Sequence, residues 1–537
     1  MSWARSVLYG SAPYDLSLWG PAPARPAFAL DAIRLGDAAR GAELRAGTFH
    51  FAGERVCGET PPWTAALRPA FLAELHGFAW LADLAALDDA EAWTAARAWT
   101  EDWLARCDGW DILAWRADVA GTRLIAWITY WPQLAGRAEA DGFTRRLCAS
   151  LARQMRHLAR VGRREAPGVK RLTALAGLIA AAAALGNPGM LERGLRQLAS
   201  EAEAQILPDG GHVERSPRAQ LLALKALIAA RAALVARQTE VPPALQSAID
   251  RAAPMLRFFR HGDGALALFN GAKEDAAETI ERVLARAEAK GRAPQSAPHA
   301  GFQRLQAGRS LAIVDAGAPP PPGLDGDAHA GTLSFEMSHG RERLIVNCGA
   351  YQGPSAQWRT VARASAAHST LVVADTNSAE IRTDGGLGRK PRSVRCERAE
   401  EEGAQWIAAS HDGYAPIFGL THHRQLFLSA DGEDLRGEDR LDGPAGQGFA
   451  IRFHLHPAVQ VSLAQDGATA LLRLASGVGW RLRAQGAVMS LAESIYLGGG
   501  EPRKSQQLVL DGHVGSEGAT VKWALRREGK KSEPAAA

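Results

Sequence analysis

The sequence predicts an α+β multidomain protein, with a helical first half followed by an antiparallel β-sandwich. Two observations lead to this prediction. Apolar residues recur every three or four positions from about residue 65 to 290, and every second position from about residue 300. The chain has 537 residues, of which 47% are hydrophobic and 22% charged, a composition typical of globular domains. We therefore assign residues 1–290 to a helical domain, 300–527 to a sandwich and 528–537 to a flexible tail.

The helical half contains several medium-length amphipathic segments. In residues 65–84, leucine and phenylalanine side chains recur at helical spacing and form one apolar face. Short breakers such as Asn187-Pro188 separate the segments, and helical hairpins packed in a ring or solenoid would explain this arrangement. The other predicted helices are 89–104, 142–158, 169–185, 188–206 and 218–237.

Short strands separated by Gly/Asp turns dominate the second half. A polar segment containing proline and glycine, 285–300, forms the linker that precedes them. Many short strands at this spacing favour an antiparallel sandwich. The predicted strands are 332–337, 343–346, 369–374, 424–428 and 449–455.

Charge and cysteine content exclude several classes of protein. The net charge of +4 is spread along the chain without a basic stripe, so we expect no nucleic-acid partner. The five cysteines form no CxxC pair, which argues against a disulfide framework or a thiolate zinc site. The longest apolar run, 172–186, is too short for a bilayer, and the first ten residues lack the core of a signal peptide. We expect no membrane partner and a cytoplasmic protein, or a periplasmic one if a leader has been lost.

The segment 327–380 carries the most informative motifs. It contains HAGTLSFE, then a turn ending in GAY, then WR, then AHST before another strand. With the loop ILPDGGHVERSP at 206–217, FHLHP at 453–457 and SQQLVL at 505–510, it resembles the heparinase II/III family. The resemblance implies an N-terminal α/α toroid followed by a β-sandwich. It also implies a polysaccharide lyase acting on uronate-containing glycans, such as glycosaminoglycans or alginate.

Such a lyase removes the proton alpha to a uronate carboxylate and expels the glycosidic oxygen. The carbanion forms only if the carboxylate charge is neutralised, and a base and an acid must move the protons. We therefore expect an acidic polysaccharide or oligosaccharide as partner. A homodimer remains open.

The resemblance implies a zinc site at His329, Asn347 and His368. The family pattern has Asp at the middle position, and the neutral amide of Asn347 is a poorer zinc ligand. Two alternatives remain for these three side chains. They could hold zinc, or they could form a buried hydrogen-bonded cluster in a protein without a cofactor.

Four residues are candidates for catalysis: His212 and Glu214 in the toroid loop, and Tyr351 and Arg359 in the sandwich. His212 and Glu214 are expected to project into the cleft between the domains. As alternatives, the loop could be helix-start architecture, Tyr351 a tyrosine at the sandwich edge and Arg359 an ordinary surface residue.

Arg260, His261 and Arg363 are candidates for substrate binding. Arg363 lies four residues after Arg359, so the two guanidinium groups could clamp a carboxylate. Arg260 and His261 follow a predicted helix and could either border the cleft or complete the helix C-terminus.

One departure from the family pattern bears on function. The family has Ser-Pro-x-Tyr after the toroid loop, and its tyrosine moves a proton, whereas this chain has Ala219 at that position. The leading hypothesis is a lyase whose proton transfer has moved to other residues. The alternatives are a noncatalytic glycan-binding protein on the same fold, and a glycoside hydrolase that uses Glu214 with an acidic partner.

Overall fold

The computed structural model describes residues 7–136, 141–162, 165 and 167–529. The predicted fold class is confirmed: helices form the first half and two antiparallel sheets the second. Residues 530–537 of the predicted tail lie outside the described part. The last helix of the first half ends at Ala287 and the first strand of the sandwich begins at Ser296.

Thirteen helices of the described chain form the toroid. Their bounds are α1 Ala12–Leu18, α2 Ala38–Arg45, α3 Pro69–His76, α4 Leu81–Ala85, α5 Ala90–Arg106, α6 Ala117–Thr129, α7 Trp131–Ala135, α8 Gly142–Val161, α9 Val169–Ala184, α10 Pro188–Gln205, α11 Pro217–Ala236, α12 Pro243–Phe258 and α13 Ala277–Ala287.

Helix α9 lies at the centre of the toroid, packed between α6 and α11. Its Ala-rich sequence is almost completely buried, because small side chains let the neighbouring helices approach closely. A Cβ atom added at Gly177 would lie 2.4 Å from the Cα of Gly121 on α6, so the two backbones touch there.

One local prediction in the helical half was wrong. The helix expected at 65–84 is two helices, α3 and α4, because Phe78 adopts a left-handed backbone conformation (φ 56°) between them. A two-stranded sheet, β1 Thr48–Phe51 with β2 Glu54–Cys57, precedes α3 and lies before the segment with the helical pattern.

The sandwich consists of an eight-stranded sheet and a nine-stranded sheet. The first has the order β14-β15-β16-β19-β12-β11-β10-β9; the second has the order β17-β18-β13-β7-β6-β5-β4-β3, with β8 paired to β13. Helices α14 Ala356–Arg363 and α15 Ala415–Phe418 lie in connections. The strand bounds are β3 Ser296–Ala297, β4 Phe302–Ala307, β5 Ser310–Asp315, β6 Phe335–His339, β7 Glu342–Val346, β8 Leu371–Val373, β9 Val394–Glu401, β10 Ala404–Tyr414, β11 Leu420–Leu428, β12 Asp434–Asp442, β13 Gly448–Leu455, β14 Gln460–Leu463, β15 Thr469–Arg473, β16 Gly479–Gln485, β17 Val488–Tyr496, β18 Arg503–His513 and β19 Ala519–Arg527.

The two halves share a packed boundary. Phe302 on β4 and Ile313 on β5 belong to the hydrophobic core of the toroid, while most of the sandwich has a separate core between its sheets. A buried ion pair between Arg215 and Asp315 joins the loop before α11 to β5. The loop is therefore held against the sandwich.

Among the described residues, one helix, α11, has the length and apolar composition needed to cross a bilayer. Of its most apolar window, 67% is buried inside the protein. Its apolar residues are accounted for by packing within the toroid.

Candidate functional site

A cavity of about 870 Å³ opens between the toroid and the sandwich. Helices α6 and α11 and the segment 30–34 form its toroid walls, and the sandwich contributes α14 and the turn before it. Seven basic and four acidic side chains line this cleft. The basic residues are Arg34, Lys170, Arg218, Lys225, Arg359, Arg363 and Arg382, and the acidic ones are Asp31, Asp118, Glu214 and Asp327.

Glu214 is a titratable group of the cleft. Its Oε1 accepts a hydrogen bond from the backbone N–H of Val169 at 2.8 Å. Burial raises the pKa of the Glu214 carboxyl to about 7, and the negative charge of Asp327 acts in the same direction. Glu214 can therefore accept or donate a proton near neutral pH, as an acid or base must.

The loop around Glu214 is held in place from both ends. Ser216 caps α11 by accepting a hydrogen bond from Ala219 N at 3.4 Å, and Pro217 occupies the first helical position. Arg215 donates to the carbonyl of Ala300 at 2.6 Å and pairs with Asp315. These contacts fix the position of Glu214 at the domain boundary.

His212 does not line the cleft, which corrects the expectation that it projects there. The ring is 1% exposed; its Nε2 contacts Gln205 Oε1 at 3.1 Å, and its Nδ1 accepts from Glu214 N at 3.3 Å. Burial lowers its pKa to about 3. With both nitrogens engaged, His212 organises the loop from inside the toroid.

His329, Asn347 and His368 are brought together, and all three are buried. His368 Nδ1 lies 2.7 Å from the carbonyl of Ala364 and therefore carries the proton, which leaves its Nε2 to accept from His329 Nδ1 at 3.0 Å. His329 Nε2 then accepts from the backbone N–H of Gly271 at 3.1 Å.

This chain of hydrogen bonds uses all four ring nitrogens. Burial holds the pKa of His329 well below its ordinary value and lowers that of His368 to about 4, so both rings are neutral. A zinc ligand needs a free nitrogen lone pair, and the middle residue, Asn347, directs its Oδ1 to Ser369 N at 3.0 Å. The three side chains as arranged do not fit a zinc site. The described residues also contain no other His, Cys, Asp and Glu group suited to a metal ion.

Arg260 and His261 do not line the cleft. His261 is buried, with Nε2 at 3.0 Å from Glu336 and Nδ1 at 2.9 Å from Ser338, both on β6. Arg260 forms an ion pair with Glu281 at 2.9 Å. The expectation that these two bind substrate is not supported, because the chain after α12 turns towards the sandwich core and away from the cleft.

Tyr351, Arg359 and Arg363 do line the cleft. Arg359 donates to the carbonyl of Gly353 at 3.0 Å, and Arg363 donates to that of Ala328 at 2.8 Å. Neither guanidinium forms an ion pair with a carboxylate of the described chain, so their charges remain available to a ligand.

Five basic residues of the cleft were not predicted from the sequence. Arg34 and Arg382 form ion pairs with Asp83 and Asp384. The other three are Lys170, Arg218 and Lys225. None of these three forms an ion pair with a described carboxylate. Burial lowers the pKa of Lys225 to about 8, and Arg34 and Arg218 act in the same direction. The signal that could have identified Lys225 in the sequence is its position on an otherwise apolar face of a helix.

Ala219 lies in the wall of the cleft and is 4% exposed. The position where the family pattern places a tyrosine therefore does face the cleft. In this chain it presents a methyl group, which cannot transfer a proton.

The fold and the cleft define a member of the heparinase II/III family, and comparison with known sequences establishes the membership. Residues 289–524 match the family model described as Heparinase II/III-like, C-terminal. FtsZ-localized protein C of Caulobacter vibrioides is 34% identical over 547 residues, which cover 97% of this chain and 93% of that protein. The chain belongs to the heparinase II/III family.

Solved structures of polysaccharide lyases share the fold at low sequence identity. Heparinase III superposes with a TM-score of 0.73 at 15% identity, covering 98% of this chain and 90% of that one. Heparan sulfate lyase HepC from Pedobacter heparinus gives 0.59 at 15% identity, with coverages of 92% and 83%. Chondroitin AC lyase of Streptomyces coelicolor A3 gives 0.54 at 12% identity, with coverages of 97% and 80%. The chain has a polysaccharide lyase fold.

Proposed function

We propose that this protein binds an acidic oligosaccharide in the cleft between toroid and sandwich and does not cleave it by β-elimination. The observation that carries the proposal is the set of three basic side chains, Lys170, Arg218 and Lys225, that line the cavity and form no ion pair within the described part of the chain. Two of the four acidic residues, Asp31 and Asp118, are already paired with arginines that do not line it. The cleft thus has excess positive charge, which favours an anionic ligand.

The arrangement of proton-transfer groups supports binding without turnover. Ala219 provides no phenol, and the ring nitrogens of His329 and His368 are engaged in internal hydrogen bonds. A lyase needs a base at the alpha proton and an acid at the leaving oxygen. We also propose that the position of His329, Asn347 and His368 holds no zinc.

One observation favours the lyase as a second candidate. Glu214, with a pKa of about 7, and Tyr351 line the same cleft and could act as base and acid, while Arg363 neutralises the uronate carboxylate. Glu214 with Asp327 would be the corresponding pair for a hydrolase.

The Caulobacter relative bears on where the protein acts. FtsZ-localized protein C is named for its localisation with FtsZ, and 34% identity across 97% of the chain supports a shared location. We propose that this protein is cytoplasmic and localises with FtsZ. A fluorescent fusion expressed in its own host should follow labelled FtsZ; a uniform distribution would contradict the proposal.

Calorimetry on matched variants tests the binding function. The wild type, Lys225→Met and Arg218→Met are titrated with tetrasaccharides of uronate-containing glycans. Lys504→Met, at an exposed position of β18 outside the cleft, serves as the control, because it also removes one lysine charge. We expect binding by the wild type and the control, and at least 10-fold weaker binding by the two cleft variants, the equivalent of about 1.4 kcal/mol. Equal affinity in all four proteins, or binding by none, would contradict an acidic-glycan site at this position.

A further inference from the structure

The cleft has two chemically different regions along helix α11. Arg218 and Lys225 are its basic positions on this helix, and Ala226, Ala229 and Ala232 continue the same wall beyond them. These positions recur at helical spacing and therefore face the cavity together. Beyond Lys225, the residues of this helix that line the cleft are all alanines, whereas Ala219 and Leu222 lie between the two basic positions.

The basic region carries uncompensated charge. The groups whose charges act on Lys225 are three cations, Arg34, Arg218 and Lys273, and one anion, Asp275. Arg34 is occupied by an ion pair with Asp83 at 2.7 Å, whereas Arg218 and Lys225 have no such partner within the described residues. Arg218 and Lys225 lie two helical turns apart, about 10 Å along the axis, and present two cations along one wall of the cleft.

The apolar region is aliphatic. Ile33 and Ile125 also contribute to the lining of the cleft, and among the described lining residues Tyr130 and Tyr351 provide the phenol rings. Sugar hydroxyls buried against alanine and isoleucine would lack hydrogen-bond partners, which is costly. Each methylene group buried there strengthens binding about 4-fold. This part of the cleft suits an alkyl or similar apolar group better than a sugar ring.

We propose that the ligand is an anionic amphiphile: an acidic sugar linked to an apolar group, with its acidic sugar along Arg218 and Lys225 and its apolar group along Ala226, Ala229 and Ala232. The inference rests on the proposed binding of an acidic sugar in the same cleft. From Lys225 to Ala232 the helix rises about 10 Å, roughly the length of an eight-carbon chain.

Three ligands separate the two parts of this proposal: octyl glucuronide, methyl glucuronide and neutral octyl glucoside, each titrated below its micelle concentration. We expect octyl glucuronide to bind the wild type at least about 50-fold more tightly than methyl glucuronide, the gain that about three buried methylenes supply. Lys225→Met should weaken octyl glucuronide at least 10-fold and leave octyl glucoside unchanged.

Ala229→Leu fills the apolar region and should reduce the advantage of the octyl chain at least 10-fold, with methyl glucuronide unaffected. The thermal unfolding midpoint verifies that the variant folds. If Ala229→Leu does not fold, Ala232→Leu provides the same test, because its position is partly exposed.

The outcomes distinguish this inference from the proposed function. If methyl and octyl glucuronide bind with equal affinity, the ligand is not an amphiphile and the acidic-sugar site remains. The same conclusion follows if acidic tetrasaccharides bind and neither glucuronide does. Equal binding of octyl glucoside and octyl glucuronide, with no effect of Lys225→Met, would overturn the acidic site. Binding of none of these ligands would overturn both.

Discussion

Replacing Glu214 by Gln should stabilise the protein above neutral pH. The carboxyl is held between the toroid and the sandwich, where burial and Asp327 raise its pKa from 4.5 to about 7, and Lys170 offsets part of the effect. Below about pH 4.5 the group is protonated in both the folded and the unfolded chain and costs nothing. As the pH rises towards 7, the unfolded chain releases its proton first, so stability falls.

The magnitude follows from the size of the shift. A difference of 2.5 pKa units corresponds to about 3 kcal/mol of lost stability above pH 7, at 1.36 kcal/mol per unit. Gln has nearly the same shape, retains an oxygen to accept from Val169 N, and carries no charge. Glu214→Gln should therefore gain up to about 3 kcal/mol at pH 8 relative to the wild type and almost nothing at pH 4.5.

Urea unfolding of both proteins at pH 4.5, 6 and 8 measures the effect. Glu192→Gln, on an exposed face of α10, is the control for removing one glutamate charge, and it should change stability by less than about 0.5 kcal/mol at each pH. A Glu214→Gln variant that is less stable at pH 8, or equally shifted at every pH, would refute the assignment of Glu214 as a buried carboxyl that titrates near neutrality.

Three further predictions follow from the buried polar contacts. Purified protein should contain far less than one equivalent of zinc by mass spectrometry, and its unfolding midpoint should not change with a chelator; a full equivalent of zinc would contradict the hydrogen-bond chain of His329 and His368. His368→Ala leaves the buried His329 Nδ1–H without a partner and should lower the free energy of unfolding by about 2–3 kcal/mol, as measured with urea. Calorimetry should show an unchanged affinity of the cleft for its ligand. Unaltered stability would argue against the contact between the two rings. Arg215→Met leaves Asp315 unpaired in the domain boundary and should cost about 3–5 kcal/mol, and Arg215→Met with Asp315→Leu should recover part of the loss; a double variant less stable than the single one would contradict this account.

The fold was predictable from the sequence because the apolar periods differ so clearly between the two halves. The Ala-rich run at 172–186 was expected to be a buried helix, and α9 confirms this expectation. The break at Phe78 was not predictable, since its left-handed conformation depends on the tertiary packing of the surrounding aromatic rings.

The site was less predictable, because its contacts join distant parts of the chain. His261 looks like a basic residue after a helix, and only Glu336, 75 residues later, reveals it as a buried hydrogen-bonded side chain. Lys225 is surrounded by alanine and leucine in the sequence and looks like the exposed edge of a core helix. Only the tertiary structure shows that Lys225 lines the cleft, together with Arg34 from the N-terminal segment.

The central claim is that the cleft binds an acidic oligosaccharide without cleaving it. The most direct measurement is an ultraviolet time course of the protein with the uronate oligosaccharide that calorimetry shows to bind best, with and without zinc, followed by mass analysis of the sugar. Our account predicts a flat trace and an intact oligosaccharide. Rising absorbance from an unsaturated uronate would contradict it and identify a lyase, and a flat trace with shortened sugars would identify a hydrolase.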